Sequence, residues 1–193
     1  MYPIALNVAK IPVLLVGNGE LVARRLQMLH DAGAVHVTVQ ETASADDIAK
    51  HTIVMVAGLS RAESEHIAAL ARSAGKLVNV EDVNDLCDFY FTANVRRGDL
   101  IIAVSTSGAS PTLARKIRDY IADIFDAAWE GRVAEAASKR LEWKKQGKPM
   151  HEMMQLSEAY IKEKGWLNLC HSERSEESKD PSPTTQDDRK KSA

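Results

Sequence analysis

Short apolar runs alternate with amphipathic stretches over the first eighty positions. The run IPVLLV at 11–16 has no polar interruption and ends at Gly17, the pattern of a strand covered on both faces. After Gly17-Asn18-Gly19, the residues Val22, Leu26 and Leu29 recur at i, i+4 and i+7, which predicts a helix over 20–31 closed near Gly33. VHVTV at 35–39 alternates as a second strand, TIVMVA at 52–57 reads as a third and buried one, and KLVNV at 76–80 as a fourth. Between the last two, Ser60 and Glu63 have capping-box spacing at the start of a helix that carries Ile67, Leu70 and Ala71 and stops at Gly75. Strands alternating with helices predict an α/β fold with a parallel sheet wound by right-handed crossovers.

Beyond Asp82 the pattern changes. CDFYFTANV at 87–95 and DLIIAVST at 99–106 read as strands joined by the Arg97-Gly98 turn with no helix between them, so an antiparallel ribbon is expected. From Pro111 onward the pattern is helical. Leu113, Ile117, Tyr120, Ile121 and Ile124 form one stripe, and two more helices are predicted over 129–145 and 150–164, with Trp129, Trp143 and Trp166 as packing anchors. Residues 171–193 contain no Val, Ile, Leu, Met or aromatic side chain and are expected to be disordered. The expected organisation is a nucleotide-type domain at 1–85, ribbon strands and a loop at 86–110, a helical region at 111–167 and a tail at 168–193.

Composition narrows the chemistry. A net charge of −2 gives no overall attraction to nucleic acid or to an anionic membrane, so any anion site must be local. The two cysteines, Cys87 and Cys170, have neither CxxC spacing nor a His/Cys cluster around them, and no metal site is expected. The N-terminus lacks the basic segment and cleavage site of a signal peptide, and its apolar runs are too short to span a bilayer, so a cytoplasmic protein is expected.

Gly17-Asn18-Gly19 follows a strand and opens a helix. Dinucleotide folds need glycines there, because the turn is tight and backbone N–H groups must approach a pyrophosphate at the helix N-terminus. Gly17, Asn18, Gly19, Glu20 and Leu21 are therefore candidate cofactor-binding residues. Val22 stands at the third glycine position of the fingerprint, where Gly or Ala is usual. Glu41, just past the second strand, is the available carboxylate for a ribose, with Thr42 beside it. The competing reading leaves the glycines to a plain strand-to-helix turn and Glu41 to solvent.

YPIALNVAKIPVLLVGNGELVARR, followed in order by LVNVEDVNDLCDFYFTANVRRGDLIIAVSTSGASPTLARKIRDYI, resembles the precorrin-2 dehydrogenase/sirohydrochlorin ferrochelatase family, which includes the N-terminal module of siroheme synthase. The resemblance covers about residues 2–167, and its distinctive part is NVxD, an aromatic-rich segment and an STxGxSPxLAR-like loop. It implies a Rossmann-like domain, a ribbon used in homodimerisation and a helical C-terminal part. It implies NAD-dependent oxidation of precorrin-2 to sirohydrochlorin, followed in many members by insertion of ferrous iron. On this resemblance the catalytic aspartate is Asp82, in Asn79-Val80-Glu81-Asp82. A carboxylate at the end of a parallel strand can take a proton as hydride leaves for the nicotinamide. The competing role for Asp82 is that of a turn acid.

Ser110 as N-cap and Pro111 at the first helical position fix a helix start. With Ser105, Thr106, Ser107 and Gly108 before it and Arg115 after it, this start is a candidate receptor for the carboxylates of a tetrapyrrole, and Asn79 is added to the candidate substrate-binding set. Two departures from the family stand out. Residues 40–51 are short where members usually have an extra helix and strand, so the nucleotide domain is trimmed, and Ser107 replaces a common glycine. Two other readings therefore stand beside the dehydrogenase: a chelatase that has lost tight NAD binding, and a nonenzymatic tetrapyrrole- or nucleotide-binding module. A fused methyltransferase module is not expected, because the sequence ends soon after the helices.

Overall fold

The computed structural model describes residues 1–167. The predicted tail at 168–193, with Cys170, lies outside the described residues. The described residues divide into two compact units, one made of 1–93 and 104–116, the other of 94–103 and 117–167.

The first unit carries a four-stranded sheet built from β1 (Val13–Gly17), β2 (Val37–Gln40), β3 (Ile53–Ala57) and β4 (Leu77–Val80). Every pairing is parallel, in the order β2-β1-β3-β4, with Val13 opposite both Val37 and Ile53 and with Val56 opposite Val80. β1 and β3 are central, and all five residues of each are buried. This explains why their sequences are unbroken apolar runs. Alternation along β1 divides the core: Val13 and Leu15 face Val22 and Leu29 of α1 (Gly19–Asp31), while Leu14 and Val16 face Ile67, Ala68 and Ala71 of α3 (Arg61–Ser73). The topology reverses at β1, since the chain leaves it first toward β2 and then returns to its other side with β3. The carboxyl ends of β1 and β3 therefore border the crevice where open α/β sheets bind ligands.

The 40–51 segment, read as a plain short connection, holds a helix, α2 (Ala45–Ala49). Ser44 caps it: its hydroxyl accepts from Asp47 N while the Asp47 carboxylate accepts from Ser44 N, and Ile48 is fully buried against the sheet. The capping box predicted at Ser60 and Glu63 opens α3 in the same way.

One expectation is corrected. Residues 87–91 do not form a strand; β5 is Ala93–Arg97. The aromatic segment is instead tied back to β4, because Asp88 Oδ2 accepts from Val78 N at 2.9 Å and Asn79 Nδ2 donates to Phe89 O at 2.9 Å. Those bonds take up the edge of β4 and delay the ribbon by six residues relative to Cys87.

β5 and β6 (Leu100–Val104) form the antiparallel ribbon, and three helices follow: α4 (Pro111–Ile124), of which 117–124 belong to the second unit, then α5 (Ala128–Lys145) and α6 (Met150–Lys164). The Arg97 guanidinium donates to the carbonyls of Phe125 and Ala122, satisfying the end of α4. Tyr160 of α6 lies edge-on to Trp143 and to Trp166, and both Tyr160 and Lys164 reach Glu135 of α5. Along α4, Leu113, Ile117 and Tyr120 remain exposed although they belong to its apolar stripe. Among the described residues, no helix is long and apolar enough to cross a membrane.

Candidate functional site

The turn after β1 fits tightly against the turn after β3. Gly17 has φ +135, and a Cβ built on it would lie 1.7 Å from the Ala57 carbonyl oxygen. Gly58 answers from the other side, with φ +74 and a virtual Cβ 2.3 Å from Asn18 O. Neither position admits a side chain, so the two loops meet backbone to backbone at the switch point. Gly19, with φ +76, has nothing within 4 Å of its virtual Cβ and leaves open space at the start of α1. Asn18 makes no side-chain capping bond there, whereas α2 and α3 are both closed by capping boxes. A glycine cradle in front of an uncapped helix start, with Glu20 and Leu21 in its first turn, is the geometry that receives a pyrophosphate. Val22, in place of the third glycine, is buried in the core beneath α1, and the helix accommodates it.

A concave site of about 370 Å³ lies beside this crevice. Glu41, Thr42 and Ala43 line it from the end of β2, and Leu59, Ala62, Glu63, His66 and Ile67 from the start of α3. The trimmed 40–51 segment still borders an open concavity, with Glu41 on one wall and Glu63 and His66 among apolar side chains on the other. Glu63 is committed to its capping box, and the hydrogen bonds from Ser60 hold its carboxyl below the usual range. Gln40 Oε1, next to Glu41, is buried without a hydrogen-bond partner among the described residues. Sequence reasoning missed Gly58 and His66: neither lies in a glycine fingerprint, and only the β1–β3 pairing and the α3 face bring them to the crevice.

Asp82 lies just past β4, in a turn closed by Val83 N donating to Val80 O at 3.3 Å. It is exposed, and its φ of +59 is one of two positive values among described non-glycine residues. Asn79, by contrast, is buried, and its amide nitrogen is spent on Phe89 O. Its visible work is to hold the aromatic segment onto β4. Cys87 packs on the same strand: the thiol donates to Val80 O at 3.2 Å and accepts from Val80 N at 3.3 Å, and burial pushes its pKa up. Glu81 was not singled out from the sequence. Its side chain is only 6% exposed and pairs with both Arg24 and Arg25 of α1.

Residues 105–110 fold on themselves. Ala109 N donates to Thr106 O at 2.9 Å, closing a turn whose central residues Ser107 and Gly108 have φ +52 and +84. Both signs are positive, as a type I′ turn requires. Thr106 Oγ1 accepts from Ser110 N and donates to Ser110 O; Ser105 Oγ accepts from Ser107 N; Ser110 Oγ accepts from Leu113 N. The last bond makes Ser110 the N-cap of α4, with Pro111 as its first residue. These hydroxyls thus build the loop more than they line it. Arg115 is exposed one turn into α4, while Arg118 is paired with Asp119 at 2.7 Å. Gly17, Glu41, Asp82, the loop and Arg115 all belong to the same compact unit.

Residues 4–93 match the family described as "Putative NAD(P)-binding", and residues 97–124 match "Sirohaem biosynthesis protein central". The two matches, in this order, support the resemblance to the N-terminal module of siroheme synthase. Siroheme synthase of Methylococcus capsulatus is 37% identical over 62% of this chain and 29% of its own length. Siroheme synthase of Nitrosomonas eutropha is 33% identical over 72% of this chain and 33% of its own. The chain thus spans about a third of the curated relatives it matches. The solved structure of "SirC, precorrin-2 dehydrogenase" superposes with a TM-score of 0.67 at 20% identity, covering 88% of this chain and 94% of that one, which establishes a shared fold. The boundary between the two family matches, 93 to 97, falls at the strand β5 that opens the siroheme-type ribbon.

Proposed function

We propose that the chain is an NAD-dependent dehydrogenase that oxidises precorrin-2 to sirohydrochlorin. The observation that carries this reading is Asp82, an exposed carboxylate held at positive φ on the carboxyl end of β4, in the same compact unit as the glycine cradle and the 105–110 loop. The residues present fit the cofactor: Gly17 and Gly58 let the two loops close on each other, Gly19 leaves open space at the start of α1, and the Glu41 pocket lies beside it. Gly17, Asn18 and Gly19 would hold the pyrophosphate through backbone N–H groups, and Glu41 and Thr42 the adenosine ribose. NAD, when bound, supplies the hydride acceptor.

The chain's own residues do the rest. The oxidation releases one hydride and one proton, and Asp82 takes the proton, leaving sirohydrochlorin, NADH and a protonated carboxyl that returns its proton to water. The start of α4 and Arg115 neutralise substrate carboxylates, so binding strength falls as salt rises. Iron, where inserted, is a substrate, and Asp82 would accept the departing pyrrole protons.

A homodimer fits the same reading. The ribbon β5–β6 would otherwise leave strand edges open, and Leu113, Ile117 and Tyr120 expose an apolar stripe on α4. Light scattering on the purified protein measures this directly. A reduced tetrapyrrole and a nicotinamide cofactor belong in the cytoplasm. The deciding experiment is to mix purified protein with precorrin-2 and NAD and follow NADH and sirohydrochlorin absorption, then repeat with Asp82→Asn and with sirohydrochlorin plus ferrous iron. Wild-type turnover abolished by Asp82→Asn is expected; wild-type inertness in the first assay refutes the dehydrogenase, and iron insertion alone would leave the chelatase reading.

A further inference from the structure

Glu81 is the most thoroughly enclosed ion pair partner in the first unit, and no step of the proposed reaction uses it. Its carboxylate accepts from Arg24 Nη2 at 2.8 Å and from Nε of Arg25, and Arg25 is itself only 17% exposed. Both of its carboxylate oxygens are committed to guanidinium groups of α1, one to Arg24 and one to Arg25. What Glu81 does must follow from where it stands, which is directly before Asp82.

We propose that Glu81, clamped by Arg24 and Arg25, is a positioning residue that holds Asp82 in its left-handed turn and fixes it to the cofactor helix α1. The inference rests on the dehydrogenase reading above. In the turn from Val80 to Val83, Asp82 occupies the third position with φ +59, a place that glycine or asparagine takes at less cost. A side chain stays in such a conformation only where its surroundings over-determine it. Here they do so from both sides. Glu81 N donates to Val56 O at 2.9 Å, extending the β3–β4 ladder by one residue, while its carboxylate is pinned to α1. On the other side the Cys87 thiol brackets Val80 and donates to Val83 O at 3.4 Å. Arg25 also stacks its guanidinium 4.5 Å from the centre of the Phe91 ring, joining the aromatic segment to the same clamp.

The consequence is geometric. α1 opens at the glycine cradle, so the helix that would orient the hydride acceptor also orients the proton acceptor through Arg24 and Arg25. Misplacing a reacting group by about 1 Å can cost on the order of a hundredfold in rate without a comparable change in ligand binding.

Steady-state kinetics with precorrin-2 and NAD on wild type, Glu81→Gln, Glu81→Ala and Arg24→Ala test this, with kcat expressed per NAD-binding site counted by titration so that unfolded protein does not contribute. Glu81→Ala is expected to lower kcat about 10–100-fold while the NAD Kd and the KM for precorrin-2 stay within about threefold, and Glu81→Gln to fall between. Arg24 is 66% exposed, so Arg24→Ala preserves the fold; it is expected to lower kcat about threefold. If Glu81→Ala does not fold, the Arg24→Ala result decides. A kcat per site unchanged in the folded variants, beside a wild type that turns over and an inactive Asp82→Asn, overturns the positioning role and leaves the dehydrogenase standing. If the wild type itself is inert, the dehydrogenase reading falls, and the crystallographic φ of Asp82 in Arg24→Ala and Glu81→Gln judges the clamp: departure from positive φ in either supports it, retention in both overturns it.

Discussion

The missing Cβ of Gly17 marks a point where β1 and β3 can touch, since any side chain there would lie 1.7 Å from the Ala57 carbonyl oxygen. That oxygen belongs to backbone held by the β1–β3 ladder, in which Gly17 itself pairs with Ala57, so it cannot step aside cheaply. Gly17→Ala is expected to destabilise the chain by about 3 kcal/mol through backbone strain and overlap, lowering the thermal midpoint by on the order of 10 °C, and to abolish NAD binding. Scanning calorimetry with and without NAD reads both. A wild-type midpoint in the variant is incompatible with the contact.

Glu41 stands at the wall of the pocket beside the cradle. A carboxylate paired with ribose hydroxyls contributes roughly 1.5–3 kcal/mol, so Glu41→Ala should weaken NAD binding by about 10–100-fold. The same charge repels a 2′-phosphate, and Glu41→Arg should therefore invert the preference toward NADP. Isothermal titration with both nucleotides checks the pair. Equal NAD affinity in wild type and Glu41→Ala would return Glu41 to the role of a solvated loop acid.

The sheet was legible because its pattern is local. β1 and β3 are buried on both faces and read as unbroken apolar runs, and the α3 start announced itself through Ser60 and Glu63. The ribbon was placed too early because DFYF has strand composition, yet Asp88 and Asn79 spend that segment on the edge of β4 through contacts ten residues apart in sequence. α2 escaped notice since five residues are too few to show a helical period, although the Ser44–Asp47 spacing was there to be read. Gly58 and the Glu81 clamp depend on pairs separated by some forty to fifty-seven positions, and no local spacing encodes them. Ser107 is the opposite case: it stands where the family commonly has glycine, a local substitution, and its φ is positive.

Ser107 supplies a gain-of-stability test. Its Cβ sits in a turn that favours glycine at φ +52, so Ser107→Gly should relieve strain of about 1 kcal/mol, partly offset by the larger entropy of glycine in the unfolded chain. A rise of about 1–3 °C in the thermal midpoint is expected, although the Ser107 hydroxyl gives up its contact with Met1 Sδ at 4.0 Å. A fall in the midpoint would mean that the hydroxyl contact matters more than the backbone.

Arg115 separates the substrate end of the site from the cofactor end. It is exposed on the first turns of α4, beyond the Ser110 cap, and Arg115→Ala should raise the precorrin-2 KM by about tenfold while the NAD KM stays constant. Added salt should then affect the variant less than the wild type, since one charge contact has gone. An identical precorrin-2 KM in both proteins would remove Arg115 from the site.

The capping box of α3 predicts the direction of an acid effect. Hydrogen bonds from the Ser60 hydroxyl and backbone hold the Glu63 carboxyl below its ordinary 4.5. A folded-state value depressed below the unfolded one means that the contribution is fully present above the unfolded value and is lost as pH falls through the folded one. Asp47, bonded to Ser44 at the start of α2, titrates in the same sense. Glu63→Gln should therefore melt below the wild type at about pH 7, and the gap should close as pH falls through the lowered folded-state value, where the wild-type carboxylate takes up its proton as well. Because α3 forms one wall of the Glu41 pocket, NAD affinity should weaken over the same acidic window in the wild type and less so in the variant. Melting curves that keep a constant gap from neutral to acid pH would show that Glu63 stabilises α3 by packing and not by its charge.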